Sequence, residues 1–248
     1  MGKLKSRFIP MAMAAALAAL LSACGGGGGG TSGTATDANP VTTSFPIQQA
    51  LAYAFTHGVQ ATLNITGNTS NGTTTYPITG SLTYTLGIAA SATFEGGTAL
   101  QSAENLTATL SANGTTQPLT VNGQLFVNAQ YAPIGESTSD SYCVATNTPA
   151  YPATAVAGQS GDIATLNCYS DSSKRTLVDV EKISYVTTAG SDANSLDFKM
   201  VTTDYGLSNT PVTTSSTTYT ISAAGIPKLT RVQLSGTEDG ISVSIDAK

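Results

Sequence analysis

Few side chains in this sequence are suited to acid–base, nucleophilic or metal chemistry. The 248 residues include one His, three Cys and no Trp. The single imidazole, His57, precedes Gly58, and a cation in the last turn of a helix interacts favourably with the helix dipole. A Ser–His–Asp site would have to use His57, yet the sequence has no Gly-x-Ser-x-Gly elbow, and no lysine completes an S-x-x-K pattern. We therefore predict no catalytic residue of these types.

The carboxylates are the remaining candidates for catalysis. The sequence has 15 Asp and Glu residues, and glycoside hydrolysis requires a pair of them. A hydrolase would be built on acids such as Asp179, Glu181, Glu238 or Asp239. Sugar hydrolases usually hold their ligand against aromatic faces, and Trp is absent. We expect a protein that is not an enzyme and has no metal or cofactor, with the hydrolase as an alternative.

The charge balance is acidic. With 10 Lys and Arg residues against 15 Asp and Glu, the formal net charge is −5, and the isoelectric point lies near 4.6. Nucleic-acid binding needs clustered basic side chains that displace counterions from phosphates. The composition therefore argues against a nucleic-acid partner, whereas a hydrophobic fraction of 40% is sufficient for a folded core.

The N-terminus has the organisation of an export signal. Lys3, Lys5 and Arg7 precede an uncharged apolar run over residues 8–21. This run is too short to span a hydrocarbon core of about 30 Å as a helix, but it has the length of the apolar region of a signal peptide. The pattern therefore favours export over a transmembrane anchor.

The apolar run closes on Leu21-Ser22-Ala23-Cys24, which resembles the lipobox of bacterial lipoproteins. In that family the cysteine sulfur receives a diacylglycerol, the signal is cut before the cysteine, and the new amino group is usually acylated too. The resemblance implies a signal peptide over residues 1–23 and lipidation, palmitate included, at Cys24. Because Gly25 is not the Asp associated with inner-membrane retention, it further implies the bacterial outer membrane. We expect the chain to face the periplasm.

A tether follows the lipidation motif. Residues 24–43 contain the run Gly25 to Gly30 and then mostly small polar side chains, which offer almost nothing to bury. Such a segment is expected to behave as a flexible coil with a root-mean-square span of roughly 25 Å.

The other two cysteines form a natural pair once Cys24 is assigned to the anchor. An oxidising periplasm favours a disulfide between Cys143 and Cys168, which contributes roughly 3–4 kcal/mol on the chain-entropy model. A redox or metal pair is disfavoured because C-x-x-C spacing is lacking. The bridge would fix residues 132–173, the longest stretch without clean periodicity.

One helix and many strands must position these residues. Ile47, Leu51, Ala54 and Phe55 form one apolar stripe, which predicts a helix capped by Ser44, with Pro46 in its first turn and its end at Gly58. Beyond residue 59 apolar and polar residues alternate. Turn signals separate the alternating runs, and they are Asn71-Gly72, Gly96-Gly97, Asn113-Gly114 and Asn122-Gly123.

About ten strands at short spacing predict an all-β fold. We expect residues 44–248 to form a single antiparallel β domain with one short N-terminal helix and the disulfide-stapled loop 132–173. The sheet would be a curved meander, a partly open barrel or a sandwich. A transmembrane barrel is disfavoured because the apolar positions are small or sparse and no aromatic girdles recur.

The sequence thus predicts a lipid-anchored envelope lipoprotein that acts as a binding or scaffolding module. Its partners would be the membrane, through the anchor, and an envelope protein or a hydrophobic ligand. A periplasmic carrier of hydrophobic ligands is an alternative, because a helix ahead of a bent antiparallel sheet could enclose one. A surface adhesin is a further alternative.

Overall fold

A computed structural model describes residues 43–238 and 240–248. The predicted signal peptide over residues 1–23, Cys24 and most of the predicted tether therefore lie outside the described residues. Within them there is no helix with the length and apolar character needed to cross a membrane.

The described residues form one helix and thirteen strands, and all the strands belong to one sheet. The elements are α1 (Ile47–His57), β1 (Val59–Ser70), β2 (Thr75–Leu86), β3 (Ala90–Phe94), β4 (Gly97–Ala112), β5 (Thr115–Val127), β6 (Pro133–Ser137), β7 (Tyr142–Ala145), β8 (Ser160–Tyr169), β9 (Leu177–Ala189), β10 (Ser195–Gly206), β11 (Pro211–Ser222), β12 (Pro227–Glu238) and β13 (Ile241–Ala247).

The sheet closes on itself. Sequential antiparallel pairs run from β4 to β13, β13 pairs with β1, β1 pairs with β2, and β2 pairs back onto β4. The result is a closed antiparallel barrel of 12 strands with β3 as an extra strand. The prediction of an all-β antiparallel fold is confirmed, whereas a partly open barrel or sandwich is wrong because the β2–β4 pairing removes the gap.

Two glycines allow the wall to bend where the barrel closes. Gly80 on β2 pairs with Leu110 of β4, and a Cβ at this glycine would lie 1.9 Å from the carbonyl oxygen of Thr109. Gly67 on β1 is similar, with an added Cβ 2.2 Å from the carbonyl oxygen of Ser244. Side chains are excluded at both positions, so the neighbouring backbones can approach closely and the strands can curve.

Helix α1 plugs one end of the barrel, called here the helix end. Its buried side chains are Ile47, Ala50, Leu51, Ala54 and Phe55, so the predicted apolar stripe is confirmed. The predicted cap is wrong: Pro46 occupies the N-cap, and no side chain caps the helix. The segment before the helix is held by Phe45, whose N–H donates to the carbonyl of Ala155 at 2.8 Å.

The remaining turn and loop predictions have mixed outcomes. Asn71-Gly72 and Asn113-Gly114 lie between strands, and Asn113 and Gly114 both have positive φ. Asn122-Gly123 is not a turn but lies inside β5. The segment 132–173, for which no strands were predicted, contains β6, β7 and β8, because short or irregular strands leave little periodicity to detect.

The strands alternate between a polar outer wall and an apolar interior. Leu63 and Ile65 of β1 point inward and are buried, whereas Thr62, Asn64 and Thr66 between and beside them are exposed. The alternation of apolar and polar residues therefore places one side of β1 in the interior and the other on the outer wall.

Gly80→Ala is expected to destabilise the barrel by about 1–3 kcal/mol, because the new methyl group would overlap the carbonyl of Thr109. Gly123→Ala is the matched control, since its Cβ would lie 3.7 Å from the nearest atom, the carbonyl oxygen of Ser137. Urea unfolding followed by circular dichroism measures both. Equal losses of free energy of unfolding in the two variants would contradict the close-approach explanation.

Candidate functional site

The barrel interior contains a small cavity. An apolar cavity beneath the helix has a volume of about 50 Å³ and is bounded on the helix side by Leu51, Ala54 and Phe55. Opposite the helix its lining includes Ile183 and Met200. This volume can hold one or a few water molecules but not an acyl chain.

A short polar chain borders the cavity. The Tyr84 hydroxyl is hydrogen-bonded to both Glu104 and Tyr219, and burial with the neighbouring Glu104 carboxyl raises the pKa of Tyr84 well above its ordinary value. Enclosure by the surrounding protein raises the pKa of Glu104, and its bond to Tyr84 partly opposes that rise. The chain satisfies polar groups inside the wall, which is the usual condition for burying them.

The second interior feature is the predicted disulfide, which is confirmed. Cys143 on β7 lies directly opposite Cys168 on β8, with their Cα atoms 4.0 Å apart and both residues fully buried. Glu181 on β9 reaches the bridge, and its Oε1 atom is 2.9 Å from Sγ of Cys168 and 3.3 Å from Sγ of Cys143.

Four buried acids surround this bridge. They and the two half-cystines are called here the carboxyl–disulfide cluster: Glu136, Cys143, Cys168, Asp179, Glu181 and Asp204. Strand register brings them together. Glu136 pairs with Cys143, Asp179 with Cys168, and Glu181 with Asp204, all on the inner face.

The environment of the cluster favours protonated carboxyl groups. Burial raises the pKa of Asp179 to about 6. Burial, reinforced by Glu136, Asp204 and Asp179, holds the pKa of Glu181 well above its ordinary range. The pKa of Asp204 is raised in the same way, by burial first and then by the neighbouring carboxylates. Removing the charge lowers the cost of keeping these groups out of water.

Hydrogen bonding in the cluster is incomplete. Within the described part of the chain, one carboxyl oxygen each of Asp179, Glu181 and Asp204 has no hydrogen-bond partner. Cys143, Cys168 and Glu181 have potential ligand atoms within 4.8 Å of one another. The two sulfurs are bonded to each other, however, and thiolate is the form in which cysteine binds a metal. The bridge therefore occupies the coordination capacity of both cysteines.

A polar groove on the outer wall is the third feature. It has a volume of about 640 Å³ and lies toward the end of the barrel opposite the helix. Strands β1, β11, β12 and β13 form it side by side. Its polar lining residues are Asn68, Ser70, Thr75, Thr214, Ser235, Thr237, Ser242 and Ser244.

The structure places the sequence-predicted residues apart. His57 lies exposed in the last helical turn, stacked on Tyr53 with ring centroids 4.0 Å apart. Asp179 and Glu181 are buried in the cluster. Asp239 and the side chain of Glu238 lie outside what is described, as does Cys24. Of the predicted acids, the two whose side chains are described, Asp179 and Glu181, therefore form no accessible site.

Sequence reasoning missed Glu136 and Asp204 as partners of Glu181. Asp204 continues the inward-facing series of β10 after Phe198 and Thr202, so its parity along the strand was an available signal. No such signal existed for Glu136, because β6 was not predicted. No protein-family model, curated protein or solved structure matches this chain.

Stability is expected to fall as the pH rises above about 4, the ordinary carboxyl pKa. An acid with a raised folded-state pKa contributes stability below its unfolded pKa and loses it as the pH passes the folded one. The shift of Asp179 to about 6 alone corresponds to about 2–3 kcal/mol. Glu181→Gln should remove part of this decline and raise the free energy of unfolding near pH 8 by about 1–3 kcal/mol.

Asp140→Asn provides the control, because Asp140 is exposed. Denaturant unfolding between about pH 4 and pH 8 measures all three proteins. If wild type and Glu181→Gln showed the same pH dependence, the raised folded-state pKa of Glu181 would be disproved.

Proposed function

We propose that this chain is a lipid-anchored lipoprotein of the bacterial envelope, held at the outer membrane by acylated Cys24 and facing the periplasm. The four-residue motif ending at Cys24, together with the basic and apolar segments before it, supports this proposal. The organisation of the chain is compatible with this proposal, because helix α1 begins at Ile47, a few residues after the predicted tether over residues 24–43.

The proposed role is binding or scaffolding through the outer wall, without catalysis. The observation that carries this proposal is the small interior cavity: its volume of about 50 Å³ is far below the roughly 300 Å³ at the lower end for small-molecule sites. The polar groove offers a larger concave surface, of about 640 Å³. Its hydroxyl and amide groups suit a polar partner that both donates and accepts hydrogen bonds.

The alternatives draw less support from these features. A carrier would need space for an apolar ligand, and the cavity provides little. A hydrolase built on Asp179 and Glu181 would need a substrate to reach side chains of residues that are only 2% and 0% exposed. A surface adhesin shares the outer-wall mode of binding and differs in the face of the membrane that the barrel occupies.

Cys24→Ser is expected to abolish acylation and release the protein from the membrane fraction, because several acyl chains make an effectively permanent anchor. Fractionation after a salt wash and the mass of the N-terminal peptide measure this. Ser22→Ala, which keeps a small residue before the cysteine, is the control and should stay acylated. Retention of Cys24→Ser in the washed membrane would contradict the lipoprotein proposal, and protease access on intact cells separates the periplasmic from the surface-exposed form.

A photo-cross-linking residue at Ser235, an exposed position in the groove, is expected to give one discrete adduct in intact envelopes. The same residue at Thr107, exposed on β4 in another part of the wall, is the matched control and should give none. Ser242→Arg, on the groove floor, should suppress the Ser235 adduct by filling the concave surface. Equal labelling from both positions would show that the groove is not a specific binding surface.

A further inference from the structure

Three large apolar side chains are exposed around the helix end of the barrel. Tyr53 on α1 is 38% exposed, Ile88 between β2 and β3 is 66% exposed, and Ile226 in the turn before β12 is 50% exposed. They are called here the helix-end patch. Single exposed apolar residues are common on proteins. These three indicate a binding surface only if they lie together on one face of the barrel.

The helix connects the three positions. Its solvent-facing stripe contains Gln49 and Tyr53 and ends at His57. At the start of the stripe, Gln49 Nε2 donates to the carbonyl of Ala224 at 3.4 Å, two residues before Ile226. The turn containing Ile226 therefore lies against the first helical turn.

The other end of the stripe meets Ile88. A Cβ at Gly58 would lie 3.8 Å from Cγ1 of Ile88, and the N–H of Ala89 donates to the carbonyl of Phe55 at 2.7 Å. Helical residues rise 1.5 Å each, so Gln49 and His57 are about 12 Å apart along the axis. Ile226, Tyr53 and Ile88 thus follow one line across the plugged end.

The chain enters the barrel at this same end. Phe45 is tied to Ala155 by reciprocal backbone hydrogen bonds of 2.8 and 2.9 Å, and α1 begins two residues later. Cys24 precedes the first described residue, Thr43, and a Gly-rich segment of this length is expected to span roughly 25 Å. An anchor at Cys24 would keep the helix end within a few nanometres of the bilayer.

The opposite end of the barrel lies away from the point where the chain enters. Leu207, in the turn between β10 and β11, is 68% exposed, yet it lies at the far end of the barrel from α1.

Exposed Lys228, two residues after Ile226, places a cation beside the helix-end patch, and a cation near the surface is attracted to anionic lipid headgroups.

We infer that the helix-end patch is a membrane-docking surface that rests on the lipid layer holding the anchor. Tyr53 lies at the headgroup level, where amphipathic aromatic rings are favoured, and Ile88 and Ile226 reach the boundary of the acyl chains. Because the tether keeps the barrel near the lipid layer, the effective concentration of the helix-end patch at the membrane is high. Weak contacts therefore suffice to orient the barrel. The polar groove, on the outer wall toward the opposite end, then lies away from the membrane. This inference rests on the proposed lipoprotein function.

Single tryptophans test the orientation, because the natural chain contains no Trp. Lipidated protein carrying Tyr53→Trp is reconstituted into vesicles of phosphatidylethanolamine and phosphatidylglycerol that contain a brominated lipid. Leu207→Trp is the matched control at the opposite end. We expect at least about a twofold loss of emission for Tyr53→Trp and little change for Leu207→Trp.

Two further variants isolate the patch. Adding Ile88→Ser and Ile226→Ser to Tyr53→Trp should reduce the quenching, whereas adding Val186→Ser, which alters a 41% exposed side chain on β9, should leave it unchanged. Circular dichroism verifies that each variant is folded. Vesicles of phosphatidylcholine show how much of the effect depends on anionic headgroups.

The outcomes separate the two proposals. Absence of acyl groups on Cys24 overturns the lipoprotein function. Acylated protein in which Tyr53→Trp and Leu207→Trp are quenched equally, or not at all, overturns the docking surface alone. A concentration-dependent blue shift of Tyr53→Trp without vesicles would assign the patch to a second copy of the chain and would also overturn it.

Discussion

The pairing of β2 with β4 is the interaction on which the rest of this structure depends, because it converts a long antiparallel ribbon into a closed wall with an inside. Closure pairs the two strands that would otherwise be the free edges of the wall, while the short β3 stays as an extra strand on β4. It also creates a volume that must be filled. The inward series of apolar side chains and helix α1 fill it, and the bends at Gly67 and Gly80 let the backbones meet.

Closure also determines where ionisable groups can lie. Each strand must alternate, so an acid placed with inward parity is carried into the core whatever its charge. Glu181 and Asp204 are paired across β9 and β10 on that face, and the disulfide lies beside them. Their raised pKa values follow from burial and from one another. The disulfide between β7 and β8 joins two of the strands in this half of the interior, and protonation of the carboxyl groups removes their charge. Both therefore favour its packing.

Much of this fold could be predicted from the sequence, and the limits have physical causes. The alternation of apolar and polar residues predicted most of the long strands, and the apolar stripe ending at Phe55 predicted the helix. The disulfide was predicted because two cysteines remained once Cys24 was assigned to the anchor. Closure could not be predicted, because it depends on register between strands distant in sequence and on close approach at Gly80. The carboxyl–disulfide cluster was missed for the same reason: Glu136 and Glu181 meet only after several strands have taken their order. The lipobox-like motif at Cys24, on which the proposed function rests, lies outside the described residues.

The seam between β1 and β13 joins strands that lie far apart in the sequence. Asn64 of β1 exchanges backbone hydrogen bonds of 2.9 and 3.0 Å with Lys248, so closing the wall requires the intervening strands to take their places first. Contacts of such sequence separation form late, since the intervening loop must first be ordered. The hairpins between neighbouring strands would thus form before this seam seals the wall.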